Sequence, residues 1–296
     1  MKRRSLLAGG GAIAVAGCSP GQTIAALALS TVDGATPRDG SLRAAGEEFG
    51  PHPRQRLDVY ASEHPGLKPV AIFWYGGGWT AGDRSRYRFI GQALAARGIV
   101  ALIADYRLHP EVRWPAFVAD GSLAVAWARS HARRFGGDPR RIFACGHSAG
   151  AHIALLLALD PQHLAAVAMA PVDLAGVVAL APPTGLEPYR GRNLPAIFGV
   201  GGDDSQRPIR LAQAGAVPPP SLLLAGAADS IIQAEHIRRL AAALQSNGAA
   251  VQFRSVPDTG HLGLLVGMAP RLPSSIAPAS KTCRCVNPTW KGASRP

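Results

Sequence analysis

The sequence predicts an α/β fold with a mostly parallel central sheet and helices on both faces. Three observations predict it. Strand-like and helix-like segments alternate over roughly two hundred residues with no internal repeat. Several strand-like segments, such as 69–75 and 99–104, are continuous apolar runs, as strands buried on both faces are. Glycines close two of the runs, at 76–78 and from 146 to 150, where strand ends must turn sharply.

The elements follow in order. Leu57-Asp58-Val59-Tyr60 alternates as an edge strand does, and 69–75 is the first buried strand. Residues 90–97 form a helix that Gly98 ends, and 99–104 is the next buried strand. A long amphipathic helix over 117–135 closes at Gly136-Gly137. Residues 141–145 form a strand and 149–159 a helix, which Asp160-Pro161 terminates. Further strands are expected at 164–170, 221–224 and 251–256, with a helix at 231–245 before the last. In such sheets reactive groups gather beyond the carboxyl ends of the strands.

Composition narrows the function classes. A chain of 296 residues suits one large domain or two small ones. Hydrophobic content of 47% with 17% charged residues excludes a wholly disordered chain. No stretch reaches the ~18 clean apolar residues of a membrane span, which excludes a polytopic membrane protein. Cysteines 18, 145, 283 and 285 are too few and too uneven for a disulfide scaffold. The formal net charge is +12, but its arginines are scattered in pairs such as Arg133-Arg134 and Arg238-Arg239. With 6% aromatics and no basic block beyond Lys2-Arg3-Arg4, nucleic-acid binding is not expected.

The ends lie outside the expected catalytic domain, which spans 51–270. Lys2-Arg3-Arg4 precedes an uncharged stretch from Ser5 to Gly17, the pattern of an export signal. Val15-Ala16-Gly17-Cys18 resembles a bacterial lipobox, and Arg3-Arg4-Ser5-Leu6-Leu7 resembles a twin-arginine signal. Residues 1–18 are therefore expected to be a lipoprotein-type signal peptide ending at Cys18, the lipidation site. The alternative is an anchor helix running to about Ser30, against which Pro20, Gly21 and the glycines at 9–11 count. The expected location is the bacterial cell envelope, in the periplasm or held to a membrane by that lipid alone. Residues 19–50 read as a spacer and lead-in, and 271–296 as an irregular tail. Cys283 and Cys285 in that tail have no further ligands beside them for a metal.

Gly146-His147-Ser148-Ala149-Gly150 sits between a strand and a helix. A G-x-S-x-G turn there holds a nucleophile in a strained conformation, and the helix N-terminus beyond favours developing negative charge. The competing reading is a glycine turn with Ser148 as an ordinary N-cap. After the earlier strand comes Tyr75-Gly76-Gly77-Gly78-Trp79, whose backbone N–H groups could face an oxyanion. A dinucleotide loop is not formed, because G-x-G-x-x-G is absent.

A serine nucleophile needs a base, and the base needs a carboxylate. His261 follows the last strand within a glycine-bearing turn. His147 is expected to point away from the attack site, and His109 and His152 to be packing or surface residues. Asp229 follows the strand at 221–224, with Asp203 and Asp204 as runners-up. Asp258 stands too near His261 in sequence and is expected only to shape its loop. The order Ser148, Asp229, His261 is that of the α/β-hydrolases.

These segments resemble the α/β-hydrolase esterases of the carboxylesterase, hormone-sensitive-lipase and feruloyl-esterase-like group over roughly residues 50 to 270. Tyr75-Gly76-Gly77-Gly78-Trp79 resembles their H-G-G-G-W, and Asp105-Tyr106-Arg107-Leu108-His109-Pro110-Glu111 their D-Y-R-L-x-P-E. Gly136-Gly137-Asp138-Pro139 and the elbow through His152 match the same group and are similar to prenylcysteine methylesterases. The resemblance implies Ser148 as nucleophile, Asp229 as acid and His261 as base, with Gly77, Gly78 and Ala149 forming the oxyanion hole. Tyr75 departs from the usual histidine that braces the glycine loop. The polar tail departs from the usual final helix.

The expected function is hydrolysis of a small carboxylic ester through an acyl-serine intermediate, without cofactor or metal. An amidase, formamidase or peptidase on the same fold is the alternative, and a non-catalytic envelope binding protein the third. A cap is expected over 173–217, with Trp79, Tyr189 and Phe198 as pocket walls.

Overall fold

The structure, a computed structural model, describes residues 20–36, 38–185, 194–200 and 203–269. In chain order its elements begin with α1 (Pro20–Ala35), β1 (Leu42–Glu48), β2 (Arg56–Tyr60), β3 (Lys68–Trp74), α2 (Arg88–Ala95) and β4 (Val100–Ala104). Next come α3 (Ala116–His131), β5 (Gly137–His147), α4 (Ala149–Leu159), α5 (Pro161–Ala165) and β6 (Leu174–Leu180). The remainder are α6 (Leu194–Phe198), α7 (Pro208–Gln213), β7 (Ser221–Gly226), α8 (Ala234–Ser246), β8 (Val251–Val256) and α9 (Gly263–Val266).

The strands form one eight-stranded sheet in the order β1-β2-β4-β3-β5-β6-β7-β8. β1 and β2, and β2 and β4, run antiparallel, while every pairing from β4 to β8 is parallel. The apolar runs explain the centre of this order. Val70, Ile72, Phe73 and Trp74 of β3 are buried, as is all of β4. α4 is buried on every side, packed against β5, α3 and α7. A helix apolar all round has only such a place to go.

Several expectations need correction. The segment 57–60 is not an edge, because β2 is flanked by both β1 and β4. The spacer expected over 19–50 contains α1 and β1. Leu29 and Val32 of α1 are buried, and Arg88 fastens its end by donating to the carbonyls of Asp33 and Thr36. The strand expected at 164–170 is the end of α5 and a turn; the strand is β6, six residues beyond Leu174 at its far end. β6 therefore lies inside the stretch expected as a cap over 173–217, and the excursion between sheet strands, carrying α6 and α7, follows it. Cys18, Tyr189 and the tail 271–296 lie outside the described residues. Among the described residues no helix is long and apolar enough to cross a membrane.

Candidate active site

β5 ends in the turn that holds Ser148, and α4 begins at once after it. Ser148 has φ 52° and ψ −121°, a backbone strained for a residue with a side chain. The turn can close this tightly because its flanking positions lack a Cβ. One built on Gly150 would stand 2.0 Å from the Trp74 carbonyl oxygen, and one on Gly146 would stand 2.4 Å from the Gly150 carbonyl carbon. The Ser148 N–H donates to the Leu180 carbonyl at 2.8 Å, and the His152 N–H to the Ser148 carbonyl at 3.0 Å. The turn is thus fixed to β6 on one side and to its own helix on the other.

β3, the neighbour of β5, feeds the glycine loop. Gly77 takes φ 140°, where an added Cβ would lie 1.9 Å from the Ala81 carbonyl oxygen, and the Thr80 N–H closes the turn onto the Gly77 carbonyl. Among the described residues no group accepts a hydrogen bond from the N–H of Gly77, Gly78 or Ala149. Beneath the loop, Tyr75 stands in a buried network. Its hydroxyl donates to Asp105 at 2.5 Å and accepts from Arg54 at 2.8 Å. Arg54 also donates to the carbonyls of Gly82 and Tyr106, and Arg84 pairs with Asp105. The Tyr75 ring stacks between Tyr87 and Tyr106, with centroids 5.1 and 5.0 Å away. Burial, with the Asp105 charge beside it, holds the Tyr75 hydroxyl well above its usual pKa.

The loops after β7 and β8 carry the candidate acid and base. His261 Nδ1 and Asp229 Oδ2 are 2.7 Å apart, and the other carboxylate oxygen accepts the N–H groups of Ile231 and Ile232. Asp229 is thereby held by its own turn and faces His261 from a buried position. The runners-up are elsewhere. Asp203 accepts from the Ser205 N–H, while Asp204 is exposed and pairs with Arg207 and Arg210. Asp258, at φ 54°, is part of the turn into the base.

His147 does not point away from the site as expected. Its Nε2 lies 3.0 Å from the His261 carbonyl, and the two rings are 4.6 Å apart. Adjacency to Ser148 was its only signal in the sequence. Arg54 gave none, being an unremarkable surface-type residue ahead of β2.

Trp79 and Phe198 meet edge to face at 4.8 Å, and Trp79 meets His152 in the same manner at 5.2 Å. His152 Nε2 donates to the Gln206 carbonyl, and the Gln206 amide donates to the Phe198 carbonyl. The excursion after β6 is therefore fastened both to α4 and to the glycine loop. Complete burial lowers the His152 pKa to about 4. Cys145, also buried, has its thiol pushed up to about 12. Among the described residues no group of three or more His, Cys, Asp or Glu side chains could hold a metal ion.

A strained serine turn on an interior strand of a largely parallel sheet is the architecture of the α/β-hydrolases, and the likenesses place this one with their esterases. The BD-FAE family model matches residues 57–244, and the chain belongs to that family. It is similar to isoprenylcysteine alpha-carbonyl methylesterase of Arabidopsis thaliana, 41% identical over 38% of this chain and 26% of the relative. It is also similar to esterase LipQ of Mycobacterium tuberculosis, 30% identical over 72% of this chain and 55% of that protein. The chain thus spans between about a quarter and about half of the length of these two relatives. Among solved structures, the apo form of Thermogutta terrifontis esterase 2 superposes with a TM-score of 0.63 at 25% identity, covering 76% of this chain and 86% of that one. The same esterase has also been solved phosphoramylated by tabun.

Proposed function

We propose that this protein hydrolyses small carboxylic esters through an acyl-serine intermediate. The observation that carries the reading is the Asp229–His261 pair at 2.7 Å, with the His261 loop tied by His147 to the turn that holds Ser148. Ser148 Oγ attacks the ester carbonyl carbon while His261 Nε2 takes the hydroxyl proton. The carbonyl oxygen, now negative, accepts hydrogen bonds from the N–H groups of Gly77, Gly78 and Ala149. His261 returns the proton to the departing alcohol. Water then attacks the acyl-serine carbon, with His261 again as base, and releases the acid and free Ser148. Asp229 fixes His261 as the Nδ1–H tautomer, assigned from its acceptor partner, and stabilises the imidazolium.

A fluorophosphonate probe tests this directly. It should label Ser148 alone, and both Ser148→Ala and His261→Ala should abolish labelling. Labelling that persists in Ser148→Ala overturns the reading. The Thermogutta esterase phosphoramylated by tabun, an organophosphorus agent like the probe, supports the choice of this reagent. Ester is preferred to amide because the relatives reported above are esterases by name; matched p-nitrophenyl ester and p-nitroanilide rates decide it. Export with lipidation at Cys18 belongs to the same proposal, on the strength of the Lys2-Arg3-Arg4 start and the Val15–Cys18 pattern. Membrane fractionation of wild type against Cys18→Ser checks it, and wild type found in cytosol with Met1 intact refutes it.

A further inference from the structure

The loop that carries His261 is held from outside mainly by the acid's side of the sheet. β8 pairs with β7, the Ala228 N–H donates to the Thr259 carbonyl, and Asp229 holds the His261 ring. These contacts fix the base relative to its acid. They reach Ser148, at the end of β5 two strands from β7, only through β6, which pairs with β7 and accepts the Ser148 N–H at Leu180. From outside this region His147 reaches the loop, with its Nε2 3.0 Å from the His261 carbonyl. A carbonyl only accepts, so His147 carries its proton on Nε2.

The same ring also lies against the glycine loop. A Cβ on Gly76 would stand 2.8 Å from His147 Nδ1 and 3.0 Å from Ser148 Cβ. The two histidine rings are tilted by 52° at a centroid distance of 4.6 Å, and His147 is 2% exposed. One buried side chain thus touches the oxyanion loop and the base loop, and its backbone leads into the nucleophile.

We propose that His147 is a positioning residue that sets the distance between the base and the nucleophile by holding the His261 carbonyl. The inference rests on the serine-esterase reading above. In this role His147 acts through His261 rather than on the substrate. Misplacement of a catalytic group by about 1 Å can cost about a hundredfold in rate, so the contact is of the size that matters.

The test compares His147→Ala, His147→Gln and His147→Asn with wild type in fluorophosphonate labelling of Ser148 and in kcat and KM for a short p-nitrophenyl ester. A glutamine amide stands near the place of Nε2 and can donate to the same carbonyl, whereas the shorter asparagine amide falls near Nδ1. His147→Ala and His147→Asn should label and turn over about ten to a hundred times more slowly, with KM changed by less than about threefold. His147→Gln should recover most of the rate. A labelling rate in His147→Ala within about twofold of wild type overturns the inference. Equal loss in all three variants also overturns it, since that marks packing alone. Wild type that takes no label brings down the esterase reading and this inference together, whereas wild type labelled at Ser148 but indifferent to His147 brings down the inference alone.

Discussion

Asp229 accepts from two backbone N–H groups as well as meeting His261, so its removal loosens a turn and disorients a base. Asp229→Ala should lower kcat about ten-thousandfold, as loss of the acid does in well-studied triads. Asp203→Ala and Asp204→Ala, which alter a capped turn and an exposed ion pair, should keep most of the activity; the same ester assay reads all three. His152 predicts a pH effect of definite sign. Its pKa falls from an ordinary 6.5 to about 4 on burial, so between those values the unfolded chain binds a proton that the folded chain does not. Stability therefore drops as pH falls through that window, by about 2 kcal/mol at pH 5 relative to neutrality. Thermal melts at pH 7 and pH 5 should show the loss, and His152→Gln should show less of it. At this scale Asp229, after the strand and turn at 221–226, was preferred to Asp203 and Asp204, which follow another apolar stretch, and it is Asp229 that meets His261. His147 was misread because its partner lies 114 residues away, and no local pattern encodes that meeting.

Legibility of the elements followed burial. The sequence placed α4 and β8 at their observed limits, since an apolar helix bounded by Asp160-Pro161 and a short strand ahead of a turn leave few alternatives. β1 was missed because its residues are largely exposed or half-buried and carry no apolar alternation. It is held by its pairing with β2 instead, through a register with two irregularities. The false strand at 164–170 arose from Leu164, Val167 and Met169, whose spacing suits a strand as well as a short helix and turn. The glycine loop supplies its own prediction. Tyr75→Phe removes the hydroxyl that joins Arg54 to Asp105 and leaves both with one buried partner fewer. Stability should fall by about 1–3 kcal/mol in chemical denaturation, with a smaller loss in kcat, because Arg84 still holds Asp105. Unchanged stability in that variant would show that stacking on Tyr87 and Tyr106 holds the loop by itself.

Across the whole molecule, the proposed catalytic groups stand beyond the ends of β3, β5, β7 and β8, and the strand order brings the first two side by side. Ser148 and the proposed oxyanion donors rest on the buried middle of the sheet. The base hangs from β8, which has a neighbour on one side only, through a loop with few fastenings. Such a margin exchanges its amide hydrogens and opens locally at lower free energy than the strands at the centre. Activity should consequently be a more fragile property than foldedness: on slow heating, turnover should vanish while the circular-dichroism signal of the sheet persists, and return on cooling. The edge of the sheet, rather than its core, would then set the temperature at which this hydrolase stops working.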